Sequence, residues 1–297
     1  MRSTPIRLFV GLAGLLGLFT LRAGAQETPS YFHPQNILRF ADSLYEEGDY
    51  LRAAMEYRRY LSSFSPPAEE AGHILFRIAT CYRSGGRADT ALTFYNKIVQ
   101  EFPGSHLHSE ALLQSAYTWF SLGKYDEVGN SLSATEFPAD ENPIYRQKQT
   151  ALMGASLLMQ NRWQDALSRL DSSPAGEAYP LTTTLKSISI RGTKLAYKSP
   201  FIAGALSSVI PGLGRIYAKR TIDGLYSLIT IGLAGWQAYD GFHKDGISSF
   251  KGWAFGVLGS ILYIGNIYGS AVSVQIYNVR IREKLHNEVR LLVNANF

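Results

Sequence analysis

Between residues 31 and 175 the apolar positions fall at helical spacing, and one set of small and aromatic residues returns at a nearly constant interval. The first unit carries Gly48, Tyr50, Ala53 and Tyr57, and the second Gly86, Ala88, Ala91 and Tyr95, with Pro103 at its exit. The third carries Gly123, Tyr125, Val128 and Leu132, and the fourth Asn161, Trp163, Ala166 and Leu170. Offsets between the four glycine or asparagine positions are 38, 37 and 38 residues. Upstream of each, Ala41, Ala79, Ala116 and Gly154 hold a second small position. Such a pattern predicts helix pairs in which small residues let the partners approach, aromatics fill the gap between neighbouring pairs, and Gly or Asn permits the turn. The expected fold is all-α, an α-solenoid of about four helix pairs over residues 31–175 followed by a helical C-terminal region.

After residue 175 the pattern changes. Residues 176–198 hold Pro180, a threonine run and Lys186, Arg191 and Lys194, and read as a linker into a juxtamembrane helix. Residues 199–279 read as a transmembrane helical domain. Ser199 and Pro200 predict a helix start, because serine can accept an orphan backbone N–H and proline has none to lose. Ser207, Pro211, Gly212, Gly214 and Tyr217 form the motif S-x-x-x-P-G-x-G-x-x-Y, where proline interrupts the helix and glycine permits a bend or close packing. Two further segments, 224–239 and 252–276, contain no Asp, Glu, Lys or Arg. A span takes roughly 20 apolar residues. The third segment, 25 residues, suffices alone, while the first two are marginal and read as short tilted spans or a re-entrant pair. Trp236, Tyr239, Trp253, Tyr263 and Tyr268 suit interfacial positions. Gly265 and Gly269 have the spacing that lets helices approach closely in lipid, which adds a helix-to-helix homo-oligomer to the expectations. Residues 280–297 read as a basic amphipathic tail, with a helix over 278–293 presenting Ile281, Leu285 and Val289 on one face.

The chain opens with Arg2 and Arg7, an apolar run over 9–21 and Ala23-Gly24-Ala25. These are the three regions of an export leader, so residues 1–25 are expected to be a signal peptide and the residues after them to lie outside the cytoplasm. Charge is uneven: residues 26–179 carry 13 Lys and Arg against 19 Asp and Glu, net −6, and residues 180–297 carry 13 against 5, net +8. Because the basic residues flank apolar runs, they point to anionic lipid headgroups rather than to nucleic acid. Cys81, the one cysteine, has no internal disulfide partner, and its place beside Ala79 and Tyr82 makes it a small core residue.

Charge bears on topology as well. With three crossings, Arg215, Lys219, Arg220, Arg280, Arg282, Lys284 and Arg290 lie opposite the repeats, against Lys186, Arg191, Lys194, Lys198, Lys244 and Lys251, a near tie under the positive-inside rule. If the first segment is re-entrant, eleven of these share the repeats' side and only Lys244 and Lys251 oppose them. That arrangement favours cytoplasmic repeats and conflicts with the leader, which takes precedence because its three regions agree.

No catalytic, cofactor-binding or metal-ligating residue is expected, and the chain does not read as an enzyme. It contains no G-x-S-x-G, no phosphate-binding loop, no H-E-x-x-H and no calcium loop. His106, His108 and Glu110 follow Ser105, an expected N-cap, so they fall on a solvated first helical turn. Gly212 to Tyr217 lacks the third glycine and the preceding strand of a dinucleotide loop. Asn266 reads as a helix-to-helix hydrogen-bonding residue.

At Gly48, Tyr50, Ala53 and Tyr57 and their later counterparts the chain resembles the tetratricopeptide repeat family, departing at Ala88, Val128 and Asn161 and in a period about four residues above the family's usual one. The stretch 101–112 is similar to longer repeats of periplasmic proteins such as outer-membrane assembly lipoproteins and the coiled-coil protein of the Tol-Pal system. The S-x-x-x-P-G-x-G-x-x-Y portion is similar to a bacterial family of small membrane domains, and resembles a region found with proteins like the membrane protein insertion efficiency factor. These resemblances imply a scaffold at the bacterial inner membrane, its repeats in the periplasm and a protein partner on their concave face. The alternative is a membrane-embedded assembly, insertion or transport component whose repeats recruit clients.

Overall fold

The computed structural model describes residues 33–103, 105–133, 137, 142–172 and 179–297, so the expected leader, residues 1–25, lies outside the described residues. Among the described residues the chain is all-α, with repeated helix pairs, no strand and an apolar C-terminal helix, the class its sequence predicts. Two compact units divide it, one up to Ala91 and one over Leu92–Phe297.

In the first unit, α1 (Pro34–Glu46), α2 (Tyr50–Phe64) and α3 (Ala68–Ser84) pack in succession. Ala41, Ala53 and Ala54 are wholly buried where α1 and α2 meet, and the buried Tyr57 hydroxyl donates to Asp42. Gly48 turns between the helices at φ +82°, a left-handed conformation that a side chain disfavours. Asp49 then caps α2 by accepting from Arg52 N at 3.4 Å. Gly86, at φ +76°, repeats the turn ahead of α4 (Ala88–Glu101), which runs on into the second unit.

The second unit continues with α5 (His106–Ser121), α6 (Tyr125–Ser133), α7 (Ile144–Met159) and α8 (Trp163–Asp171). Its turns again hold the left-handed residue, Gly123 at φ +74° and Asn161 at φ +63°, so asparagine stands in for glycine at the fourth. A β-carbon on Gly154 would come within 2.5 Å of Leu170 Cδ2, which is why the small position on α7 has no side chain.

The stretch expected to be a linker contains a further helix, α9 (Pro180–Thr193), packed on α7 and α8. Leu181, Leu185 and Ile188 fall on one face and are buried in the same core as Leu158 and Leu170. Gly192 lies under the Trp163 ring, where a β-carbon would be 2.3 Å from Trp163 Cε3. Burial of that apolar face overrides the turn-like composition of the threonine run, and α9 occupies the place of a first helix in a fifth pair.

Four helices follow: α10 (Pro200–Val209), α11 (Leu213–Tyr217), α12 (Thr221–Asp245) and α13 (Phe250–Asn294), the last two joined through a 3-10 turn at Gly246–Ser248. α12 and α13 run antiparallel, with Gly241 against Gly252 and Ala234 against Gly259. α13 is 45 residues long, about 68 Å at 1.5 Å per residue. Among the described residues it is the one helix long and apolar enough to cross a membrane. The third apolar segment and the tail are therefore one continuous helix, because no proline follows Pro211 to break it.

Candidate functional site

The motif residues converge where α10 and α11 meet α12 and α13. Ile210 ends α10 in extended backbone and Gly212 turns the chain at φ +90°. A β-carbon on Gly212 would stand 2.0 Å from Gly224 O, and one on Gly214 would stand 2.0 Å from Ala203 O, so each glycine is required by contact with neighbouring backbone. Ser207, fully buried, accepts from Gly214 N at 2.9 Å and bonds Ser270 of α13 at 2.7 Å. Ser270 Oγ in turn donates to Asn266 O at 2.8 Å. The Tyr217 hydroxyl accepts from Ser199 N at 3.3 Å, and Lys198 Nζ donates to Tyr217 O. Asn278 completes the closure: its Oδ1 accepts from Lys198 N at 2.9 Å and its Nδ2 donates to Lys198 O at 2.8 Å.

These contacts define how the α10–α11 pair lies along α13. It starts at Lys198, beside Asn278, reaches Ser208, whose carbonyl accepts from Tyr263 at 2.5 Å, and returns to Lys219, whose ammonium faces the Tyr277 ring. Both ends of the pair therefore sit at the same level of α13. Inside the fold, Asn266 is buried with neither side-chain amide atom hydrogen-bonded, and Arg215 Nε is likewise buried and unbonded, so the hydrogen bond expected of the Asn266 side chain is not formed. Gly269 gives the Arg215 guanidinium its room, since a β-carbon there would approach Nη2 to 3.0 Å.

At its far end α13 leaves the apolar region and packs on the repeats. Leu285, Val289 and Val293 are buried in the core formed by α5 to α9, and α13 touches α7 and α9, the first helices of successive pairs. Phe297 stacks on Tyr117 of α5 with centroids 5.6 Å apart, and Lys148 of α7 lies over the Phe297 ring. Asn294 accepts from the Tyr117 hydroxyl at 3.3 Å, and Arg191 of α9 donates to Glu288 at 2.6 Å. Trp163 meets His286, whose pKa is lowered by burial, with Glu283 opposing and Arg282 and Arg290 reinforcing the shift. The tail expected to be a basic amphipathic helix thus buries its apolar face on the chain's own repeats.

Of the remaining repeat positions, Ala53, Tyr57, Ala91, Tyr95, Val128, Leu132, Ala166 and Leu170 are buried packing residues. Tyr50 and Tyr125 meet Tyr45 and Phe120 edge-on across their own turns. Ser105 caps α5 by accepting from Leu107 N at 3.2 Å, His108 Nδ1 lies 3.1 Å from Val99 O, and Glu110 accepts from Tyr145 at 3.4 Å. Burial pushes the Cys81 thiol up to about 12, outside the reactive range. Sequence reasoning missed Lys198, Asn278 and Ser270, whose roles depend on contacts 63 to 80 residues apart in the chain. It also missed Tyr117, Lys148 and Arg191 as holders of the tail; the signal available was the apolar stripe at 285, 289 and 293. Residues 38–106, from α1 to the first residue of α5, match the family model described as tetratricopeptide repeat, and the helix pairs there have that family's kind of packing.

Proposed function

We propose that this chain is a membrane-anchored scaffold that binds protein segments through tetratricopeptide-type repeats. Repeats of this type generally present a surface to protein partners. The observation that carries the reading is the docking of α13: the apolar face of its amphipathic end lies on the first helices α7 and α9 and reaches Tyr117 of α5, where a partner segment would bind. Because that surface is filled by the chain's own end, the partner surface falls on the first unit. There Phe40 is 45% exposed on the first helix α1, and His73 is exposed on the next first helix, α3. Photo-crosslinking from Phe40 and His73 in cells tests this. One discrete protein adduct from these positions, and none from the exposed Ile247 in the hairpin turn, supports the scaffold; no adduct from either position contradicts it.

In this reading α12, less apolar than the apolar segment of α13 but 25 residues long and uncharged over 224–239, crosses the membrane paired with α13 as a hairpin, and α10–α11 enters and leaves on one side. α10, at 10 residues, is about 15 Å long, half of what a crossing takes. Repeats and C-terminus then share a side. Eleven basic residues lie there and Lys244 and Lys251 lie opposite, which alone assigns the repeats to the cytoplasm. We place them in the periplasm of a bacterial cell envelope because the leader acts first and long domains translocate largely regardless of charge. The same domain supports a second reading, an assembly or transport component, through Asn266 and Arg215: buried polar atoms without partners mark working positions in membrane domains.

A further inference from the structure

Lys219, Arg220 and Arg280 surround an open pocket of about 420 Å³ between the end of α11 and α13, with Ser273 and Tyr277 on its wall. Lys198 lies over the Tyr277 and Tyr217 rings, 4.7 and 4.9 Å from their centroids. No carboxylate is among the described residues that line the pocket; Asp223, beside it, accepts from Arg220 Nε at 2.5 Å while Arg220 Nη1 donates to Ser273 Oγ at 3.3 Å. These two bonds fix the guanidinium against the wall. Lys219 and Arg280 pair with no carboxylate among the described residues, so the pocket keeps an excess of positive charge. Lys219, at φ +61°, is the left-handed residue that ends α11: its N donates to Ile216 O at 2.9 Å and Arg220 N donates to Arg215 O at 2.8 Å.

We propose that this pocket binds the phosphate of an anionic phospholipid. Phosphate is the chemistry that several converging ammonium and guanidinium donors can satisfy together; Ser273, whose hydroxyl donates to Gly269 O at 2.7 Å, holds the Arg220 guanidinium rather than the ligand. A lipid rather than a free phosphate compound is indicated by what adjoins the pocket. Ile276 and Val279, 46% and 47% exposed on α13, offer an apolar strip for acyl chains where that helix passes from its apolar segment into the basic tail. The site rests on the membrane reading above and adds a ligand class and its residues to it. Bound there, the lipid would bridge the α11 end and α13 at the level from which α13 continues to the repeats.

The test uses the full chain purified in detergent. Native mass spectrometry measures retention of dioleoyl phosphatidylglycerol against dioleoyl phosphatidylcholine, with inorganic phosphate as the free-anion arm. A juxtamembrane cation is worth about fivefold in affinity for an anionic surface. K219Q/R280Q is therefore expected to weaken phosphatidylglycerol retention by about 25-fold with an unchanged unfolding midpoint, and K244Q/K251Q, which removes as many cations at the other end of the hairpin but ones already paired with Asp240, by less than about twofold. Equal loss in the two double variants overturns the site, as does displacement of the lipid by inorganic phosphate at comparable concentration. Flotation with phosphatidylcholine vesicles separates the two levels of the claim. A chain that floats without preferring phosphatidylglycerol loses the site alone, and a chain that does not float loses the membrane reading and the site with it.

Discussion

Docking of the tail makes Val289 a sensitive position, since it is fully buried in the repeat core while Leu291, two residues on, is 71% exposed. Val289→Ala removes two methyl groups from that core. At about 0.8 kcal/mol each they contribute about 1.6 kcal/mol, and the cavity left among rigid helices raises the loss to about 2–3 kcal/mol. In a unit the size of Leu92–Phe297, each kcal/mol moves the unfolding midpoint by roughly 2–4 °C. Loss of helical circular dichroism on heating the purified full chain should then shift down by roughly 4–12 °C. Leu291→Ala, on the exposed side of the same turn, should cost no more than about 0.5 kcal/mol. Equal midpoints for the two variants would mean that α13 is not packed on α7 and α9 in solution, and the account of the tail would fail.

Three further outcomes follow from particular contacts. Gly214→Ala, whose β-carbon would meet Ala203 O at 2.0 Å, should prevent closure of α10 and α11 and cost several kcal/mol, whereas Gly232→Ala, with nothing within 4 Å, should be silent; thermal unfolding of the two variants compares them. At the left-handed turns, Gly123→Ala should lose about 1–2 kcal/mol and Asn161→Gly should be neutral or gain up to about 1 kcal/mol in urea unfolding. Burial holds His286 neutral in the folded chain, and the unfolded chain takes up its proton near the usual value of about 6.5. Since the folded pKa is the lower, stability should be flat above about pH 6.5 and decline as pH falls below it. Unfolding midpoints measured from pH 8 to pH 5 should show that decline in the wild type and a smaller one in His286→Gln.

The repeat positions were legible because their constraints are local. A left-handed turn residue, two small residues and one aromatic recur within one helix pair, so Gly48, Gly86, Gly123 and Asn161 could be read at a glance along the chain. The motif residues were legible as a bend but not as a closure, because the partners Ser270 and Asn278 are remote in sequence. Composition concealed α9: Pro180 and the threonine run look like a linker, while the stripe of Leu181, Leu185 and Ile188 that buries it was present at helical spacing. Hydropathy divided α13 into a span and a tail, although its backbone has no breaker, and an apolar face at 285, 289 and 293 could not by itself name α7 and α9 as its cover. What a stripe packs against is a tertiary fact, and one sequence states only that the stripe exists.

The central claim, that the repeats and the C-terminal end of α13 lie together with an even number of crossings between them, can be tested by labelling single cysteines in a Cys81→Ser background. Met55→Cys on α2, Ile247→Cys in the hairpin turn and Leu291→Cys near the C-terminus are all at exposed positions, 61%, 81% and 71% accessible. Intact cells treated with a membrane-impermeant maleimide should label Met55→Cys and Leu291→Cys alike and Ile247→Cys oppositely, with the first two labelled from outside if the leader directs export. Labelling of Leu291→Cys together with Ile247→Cys, and not with Met55→Cys, would place the tail across the membrane from the repeats and contradict the account.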